Sequence, residues 1–116
     1  MKYLHKLDII RELISSLFYI NIERKITNEL KKYRNEIDEI DKQITELFEK
    51  RMDISKEIAK CKKEQEIGIF NAKREEEVIQ KNLSYLKNKE YRFVLEGFFR
   101  NLMNLSKLIQ NEENHH

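Results

Sequence analysis

From Leu30 to Cys61 an apolar side chain returns at nearly every third or fourth position: Leu30, Tyr33, Ile37, Ile40, Ile44, Leu47, then Ile54, Ile58 and Cys61. Such spacing draws one stripe along a single long helix. The chain has no proline and only two glycines, and 38% of its residues are charged against 40% hydrophobic. That balance favours long solvated helices over turn-rich sheets, so the predicted fold class is all-α. One stripe position has the wrong chemistry. The heptad place between Leu47 and Ile54 falls on Arg51. An arginine there either snorkels to water or is a buried cation awaiting an anion, because an unpaired charge in a core is too costly to keep.

The long helix is predicted to end near Glu64 to Glu66, since Ile67-Gly68-Ile69-Phe70 reads as a short connection. Asn71 is placed as the N-cap of a second helix through Val78, Ile79, Leu83 and Leu86. Lys87-Asn88-Lys89 breaks that pattern. A third helix is predicted from about Tyr91 to Gln110, with apolar spacing through Val94, Leu95, Phe98, Leu102, Leu105 and Ile109. Gly97 within it gives room for another helix to approach.

Residues 1–28 carry a stripe of their own, Leu7, Ile10, Ile14 and Leu17. Extended forward, it lands on Asn21, Arg24 and Asn28; extended backward, the later stripe lands on Glu23, Ser16 and Glu12. The two do not join, which predicts a bend or break between about Tyr19 and Thr27. The first segment is then a separate amphipathic helix that packs on the rest of the chain or on a partner. The expected organisation is an N-terminal helical extension over 1–28, a three-helix domain over 29–112 and a disordered tail or tag remnant, including His115 and His116, over 113–116.

With 23 basic and 21 acidic residues mixed along its length, the chain has a net charge of +2 and no field strong enough to imply nucleic acid. Any anion binding must be local. Cys61 is the single cysteine, which excludes an internal disulfide framework, and no metal-ligand spacing surrounds it. Asp8, Arg11 and Glu12 interrupt the apolar run near the N-terminus, so no signal peptide or membrane span is predicted and a cytoplasmic protein is expected. A globule of 116 residues buries only about two-thirds of its unfolded surface. Helical dimerisation would add core.

Arg51 and Lys62 are eleven residues apart on the long helix, about three turns, so they point from nearly one face roughly 16 Å apart. Two long cationic side chains can converge there on a small anion. Arg34 lies about 25 Å from Arg51 along the same helix and is turned off that face. If it belongs to the same site, it comes from a second subunit whose long helix runs antiparallel. Arg74 and Glu75 open the second helix, and Ser106 and Gln110 share a face of the third, one turn apart. Each has an ordinary surface or capping explanation alone, such as Glu near a helix N-terminus. Together they make cations, a carboxylate, a hydroxyl and an amide around one volume.

The ordered set resembles the AroQ-type chorismate mutases. It begins at Tyr33-Arg34-Asn35-Glu36-Ile37-Asp38-Glu39-Ile40-Asp41 and continues through Glu49-Lys50-Arg51, Ile58-Ala59-Lys60-Cys61-Lys62, Lys73-Arg74-Glu75 and Ser106-x-x-x-Gln110. The resemblance covers about residues 30 to 110. It implies a three-helix core forming an intertwined homodimer that converts chorismate to prephenate without metal or cofactor. By the same resemblance, Arg51 and the partner chain's Arg34 grip the substrate carboxylates, while Lys62 and Gln110 face the ether oxygen of the breaking bond. Glu75 accepts from the ring hydroxyl, and Ser106 and Arg74 complete the carboxylate pocket. Asn71, which the resemblance places among the substrate-binding residues, stands where relatives often have aspartate and would serve there through its backbone N–H. Residues 1–28 lie outside the usual short core, and docking to another shikimate-pathway enzyme or a larger assembly is the expectation for them. An isochorismate-pyruvate lyase on the same fold and a non-catalytic helical dimer are the two rival readings.

Overall fold

The computed structural model describes residues 2–115, with side chains from His5 onward; Met1 and His116 lie outside the described residues. Its elements are α1 (Lys2–Glu64), α2 (Ala72–Tyr85), a short 3-10 turn (Lys89–Tyr91) and α3 (Arg92–Asn114). No strand occurs among the described residues, and no helix is long and apolar enough to cross a membrane. The chain divides into two units, Met1–Thr45 and Glu46–His116, with α1 contributing to both.

The first unit consists of α1 alone. The predicted break between Tyr19 and Thr27 is not there: α1 is one uninterrupted helix of 63 residues. The two stripes did fail to join, but a change of register is no helix terminator. Both glycines, Gly68 and Gly97, lie beyond α1 and proline is absent, so every residue of this stretch can continue the helical hydrogen bonding. What the mismatch encodes is direction. At about 100° per residue, the Leu7–Leu17 stripe faces about 140° around the helix from the Leu30–Ile44 stripe. Every side chain from His5 to Thr45 is exposed in the chain, both stripes included.

The second unit holds the end of α1, α2 and α3. Ile79, Leu83 and Met103 form the centre of its core, with Val78, Leu95 and Phe99 packed against them. α1 adds Met52, Ser55 and Ala59, all buried and three and four residues apart on one face. Ile54 and Ile58, the apolar residues read as the seam, are exposed beside that face, as is Cys61. α3 differs from expectation in the same sense. Its fully buried residues are Met103, Ser106 and Gln110; of the predicted stripe Leu95, Leu102 and Ile109 are half-buried, whereas Val94, Phe98 and Leu105 are exposed. No close approach occurs at Gly97, where an added Cβ would meet nothing within 4 Å. The tail expected from 113 is also corrected in part, since Glu113 and Asn114 are the last residues of α3.

Helix termination follows from local hydrogen bonding. The Ile67 N–H donates to the Lys62 carbonyl at 2.8 Å and the Glu66 N–H to that of Lys63 at 3.2 Å. This paired 6→1 and 5→2 pattern is a Schellman motif, and its left-handed position is filled by Glu66, with φ 57°. At the start of α2, the Asn71 Oδ1 accepts from the Arg74 N–H at 3.0 Å, the N-cap predicted from sequence.

Candidate functional site

The ends of these elements bring their polar side chains to one cavity of about 440 Å3 in the second unit. α1 contributes Arg51 and Lys62, the first turns of α2 contribute Asn71 at the cap with Arg74 and Glu75, and α3 contributes Ser106 and Gln110. Seven of the residues singled out by sequence therefore line a single volume, walled otherwise by Ile54, Ile58, Ile69, Val78 and Met103. Arg34, the eighth, belongs to the first unit and is exposed there. A larger concavity of about 760 Å3 runs from Asn28 to Ile40, but every lining residue comes from one helix, so nothing encloses a ligand.

Arg51 is half-buried, and its Nη1 donates to the Ser106 Oγ, tying α1 to α3 across the cavity. Burial, and secondarily the like charge of Arg74, hold the Arg51 guanidinium below its ordinary pKa. It remains a cation at neutral pH. Two guanidiniums thus act on one another in this cavity, Arg51 held by the Ser106 hydroxyl and Arg74 3.9 Å from the exposed Glu77 carboxylate.

The Lys62 ammonium donates to the Ile69 carbonyl at 2.8 Å. The connection that follows α1 thereby folds back over the helix end, and Ile69 becomes part of the cavity wall. Gln110 is only 7% exposed, and its Oε1 has no hydrogen-bond partner. A buried amide oxygen without a protein donor is costly unless a ligand or water donates to it. Glu75 is paired with Lys107, Nζ to Oε1 2.8 Å.

Lys107 and Ser55 also line the cavity and were not marked by sequence reasoning. Lysine is abundant on these helices, and Lys107 follows no motif. Its one available signal was position, since it lies next to Ser106 and one turn before Gln110 on α3. Among the described residues, no group of three His, Cys, Asp or Glu side chains could hold a metal ion.

Fold and site define the class: an all-helical domain whose longest helix and two shorter ones enclose a small cavity rich in fixed cations and hydrogen-bonding groups. Residues 33–111 match the family model described as chorismate mutase type II, and the chain belongs to that family. It is also similar to a solved structure described as a conserved hypothetical protein from Pyrococcus furiosus, 40% identical, covering 70% of this chain and 93% of that one, with a TM-score of 0.57. Comparison with curated proteins returned no match.

Proposed function

We propose that the protein is a chorismate mutase, acting as a homodimer that rearranges chorismate to prephenate in aromatic amino-acid biosynthesis. The observation that carries this reading is the convergence of Arg51, Lys62, Arg74, Ser106 and Gln110 on one cavity in a chain of the type II family. The reaction is a unimolecular [3,3] shift. It requires a particular substrate conformation and stabilisation of charge on the ether oxygen as the carbon–oxygen bond breaks.

Two effects supply this. Guanidiniums gripping both carboxylates select the compact conformer in which the ends of the reacting system meet, which removes part of the entropic barrier. Arg51 serves one carboxylate, supported by Ser106 and Arg74, and Arg34 of a second copy serves the other. Lys62 and Gln110 then donate to the ether oxygen, a pre-arranged electrostatic term that grows as the bond lengthens. Glu75 accepts from the ring hydroxyl, and Asn71 holds the first turn of α2 in place. The apolar residues of α1 left exposed in one chain, Tyr33, Ile37, Ile40 and Ile44, form the dimer contact. Residues 1–28 belong to a further helix–helix association, with another shikimate-pathway enzyme or another copy.

The test is to incubate pure protein with chorismate and, separately, with isochorismate. Loss of chorismate absorbance with prephenate identified as product supports the mutase. Salicylate and pyruvate from isochorismate would make it a lyase, and no reaction with either would leave an interaction module.

A further inference from the structure

Among the ion pairs of the described residues, Lys107 holds the one in which both side chains are less than one-third exposed. Its ammonium lies 2.8 Å from the Glu75 Oε1 and 5.0 Å from the centroid of the Phe70 ring. Both side chains of the ion pair are below one-third exposed, 29% for Lys107 and 26% for Glu75. The pairs Lys60–Glu57, Arg74–Glu77 and Arg100–Glu76 have half or more of each side chain in water, where such contacts contribute little. The Lys107 pair is thus short, partly desolvated and backed by an aromatic face, and each of these strengthens a charge-assisted contact.

Its place matters as much as its strength. Three segments meet at this ammonium: α3 supplies it, the first turn of α2 supplies Glu75, and the connection supplies Phe70. Glu75 is the only carboxylate among the residues lining the cavity, where Arg51, Lys62 and Arg74 otherwise set the charge. A free carboxylate there would repel a dianion and could adopt several rotamers. Bound by one oxygen to Lys107, it is compensated, and its second oxygen is directed.

We propose that Lys107 is a specificity-determining positioning residue: by pairing with Glu75 and resting on Phe70, it aims the carboxylate that recognises the substrate's ring hydroxyl. This rests on the mutase reading and extends it to a residue that acts through another without touching substrate.

The experiment compares wild type, Lys107→Met and Lys107→Arg on chorismate and on a chorismate analogue lacking the ring hydroxyl. Lys107→Met is expected to lower kcat/KM for chorismate about tenfold, the scale of one weakened charge-assisted hydrogen bond. Turnover of the deoxy analogue, which keeps both carboxylates and so still meets the uncompensated Glu75, should fall clearly less than that of chorismate, since no hydroxyl is read there. Lys107→Arg, which keeps the cation, should restore most of the discrimination. An equal loss on both compounds would reduce Lys107 to a support of the fold and overturn the inference, and so would undiminished discrimination in Lys107→Met. Those outcomes leave the mutase reading intact as long as wild type makes prephenate. Wild type that converts neither compound overturns both.

Discussion

At the scale of single residues, two cations of the cavity rest on neutral hydrogen-bond acceptors, Arg51 on the Ser106 hydroxyl and Lys62 on the Ile69 carbonyl. Lys62 is the sharpest case. Its ammonium already donates to the Ile69 carbonyl at 2.8 Å, so it is aimed and partly desolvated before any ligand arrives. Lys62→Ala is expected to keep the helical content and the mass of the wild-type assembly while losing about 100-fold or more in kcat, the usual effect of removing one such donor. Steady-state turnover of chorismate checks it, and near-normal kcat would remove Lys62 from the site. Arg51, Lys62, Arg74, Glu75, Ser106 and Gln110 were legible in the sequence because an ordered motif selects them from among many charges. Arg51 had a physical signal as well, being a guanidinium on an aliphatic stripe. Lys107 had none. One lysine among 23 basic residues acquires meaning only once the fold sets it against Glu75 and Phe70.

At the scale of elements, helix ends do the positioning. The Schellman motif that stops α1 uses the Lys62 carbonyl itself, so the backbone of that residue is fixed by the turn that follows it. Glu66 occupies the left-handed position with φ 57°, which costs a residue with a Cβ about 1–2 kcal/mol; glycine avoids that penalty but loses about 0.5–1 kcal/mol of chain entropy. Glu66→Gly should therefore raise stability by about 0.5–1 kcal/mol, read from the urea midpoint. At the other end of the connection, Asn71→Ala removes the N-cap of α2 and should lower stability by about 1 kcal/mol. Asn71→Asp keeps the acceptor, gains from the helix dipole and should equal or exceed wild type in the same measurement. The helix boundaries near residues 64–72 were readable from glycine, asparagine and the loss of periodicity. The inward face of α2 was readable too, since Val78, Ile79 and Leu83 lie in or against the core, but those of α1 and α3 were readable only in part, as with Leu95. Hydrophobic pattern picks out Ile54 and Ile58 on α1 and Phe98 and Leu105 on α3, yet these are exposed in the chain. The faces that turn inward carry Arg51, Met52, Ser55 and Ala59, and Met103, Ser106 and Gln110, because a polar cavity sits where a core would otherwise be. The polar cavity thus overrides pattern where it sits.

At the scale of the whole molecule, the hydrophobic stripes that pack against nothing in one chain ask for another copy. Leu30, Tyr33, Ile37, Ile40 and Ile44 are between 45% and 57% exposed on one stripe of α1, and a long helix with such a stripe is marginal in water without a partner to cover it. In the proposed dimer each cavity takes Lys62 from one chain and Arg34 from the other, and that division of labour can be read without a structure of the complex. Arg34→Ala and Lys62→Ala homodimers each lack one group in both cavities and should be nearly inactive. Refolding the two variants together in equal amounts makes about half of the dimers mixed. In a mixed dimer, the Arg34→Ala chain supplies an intact Lys62 and its Lys62→Ala partner an intact Arg34, so one cavity is complete and the other lacks both. About one quarter of wild-type activity should return, from one restored cavity in each mixed dimer. If Arg34 served the cavity of its own chain, no combination would hold both groups, and the mixture would stay as inactive as its parents. Recovery on mixing, with mass measurement showing dimers throughout, is thus a direct reading of which chain closes the cage.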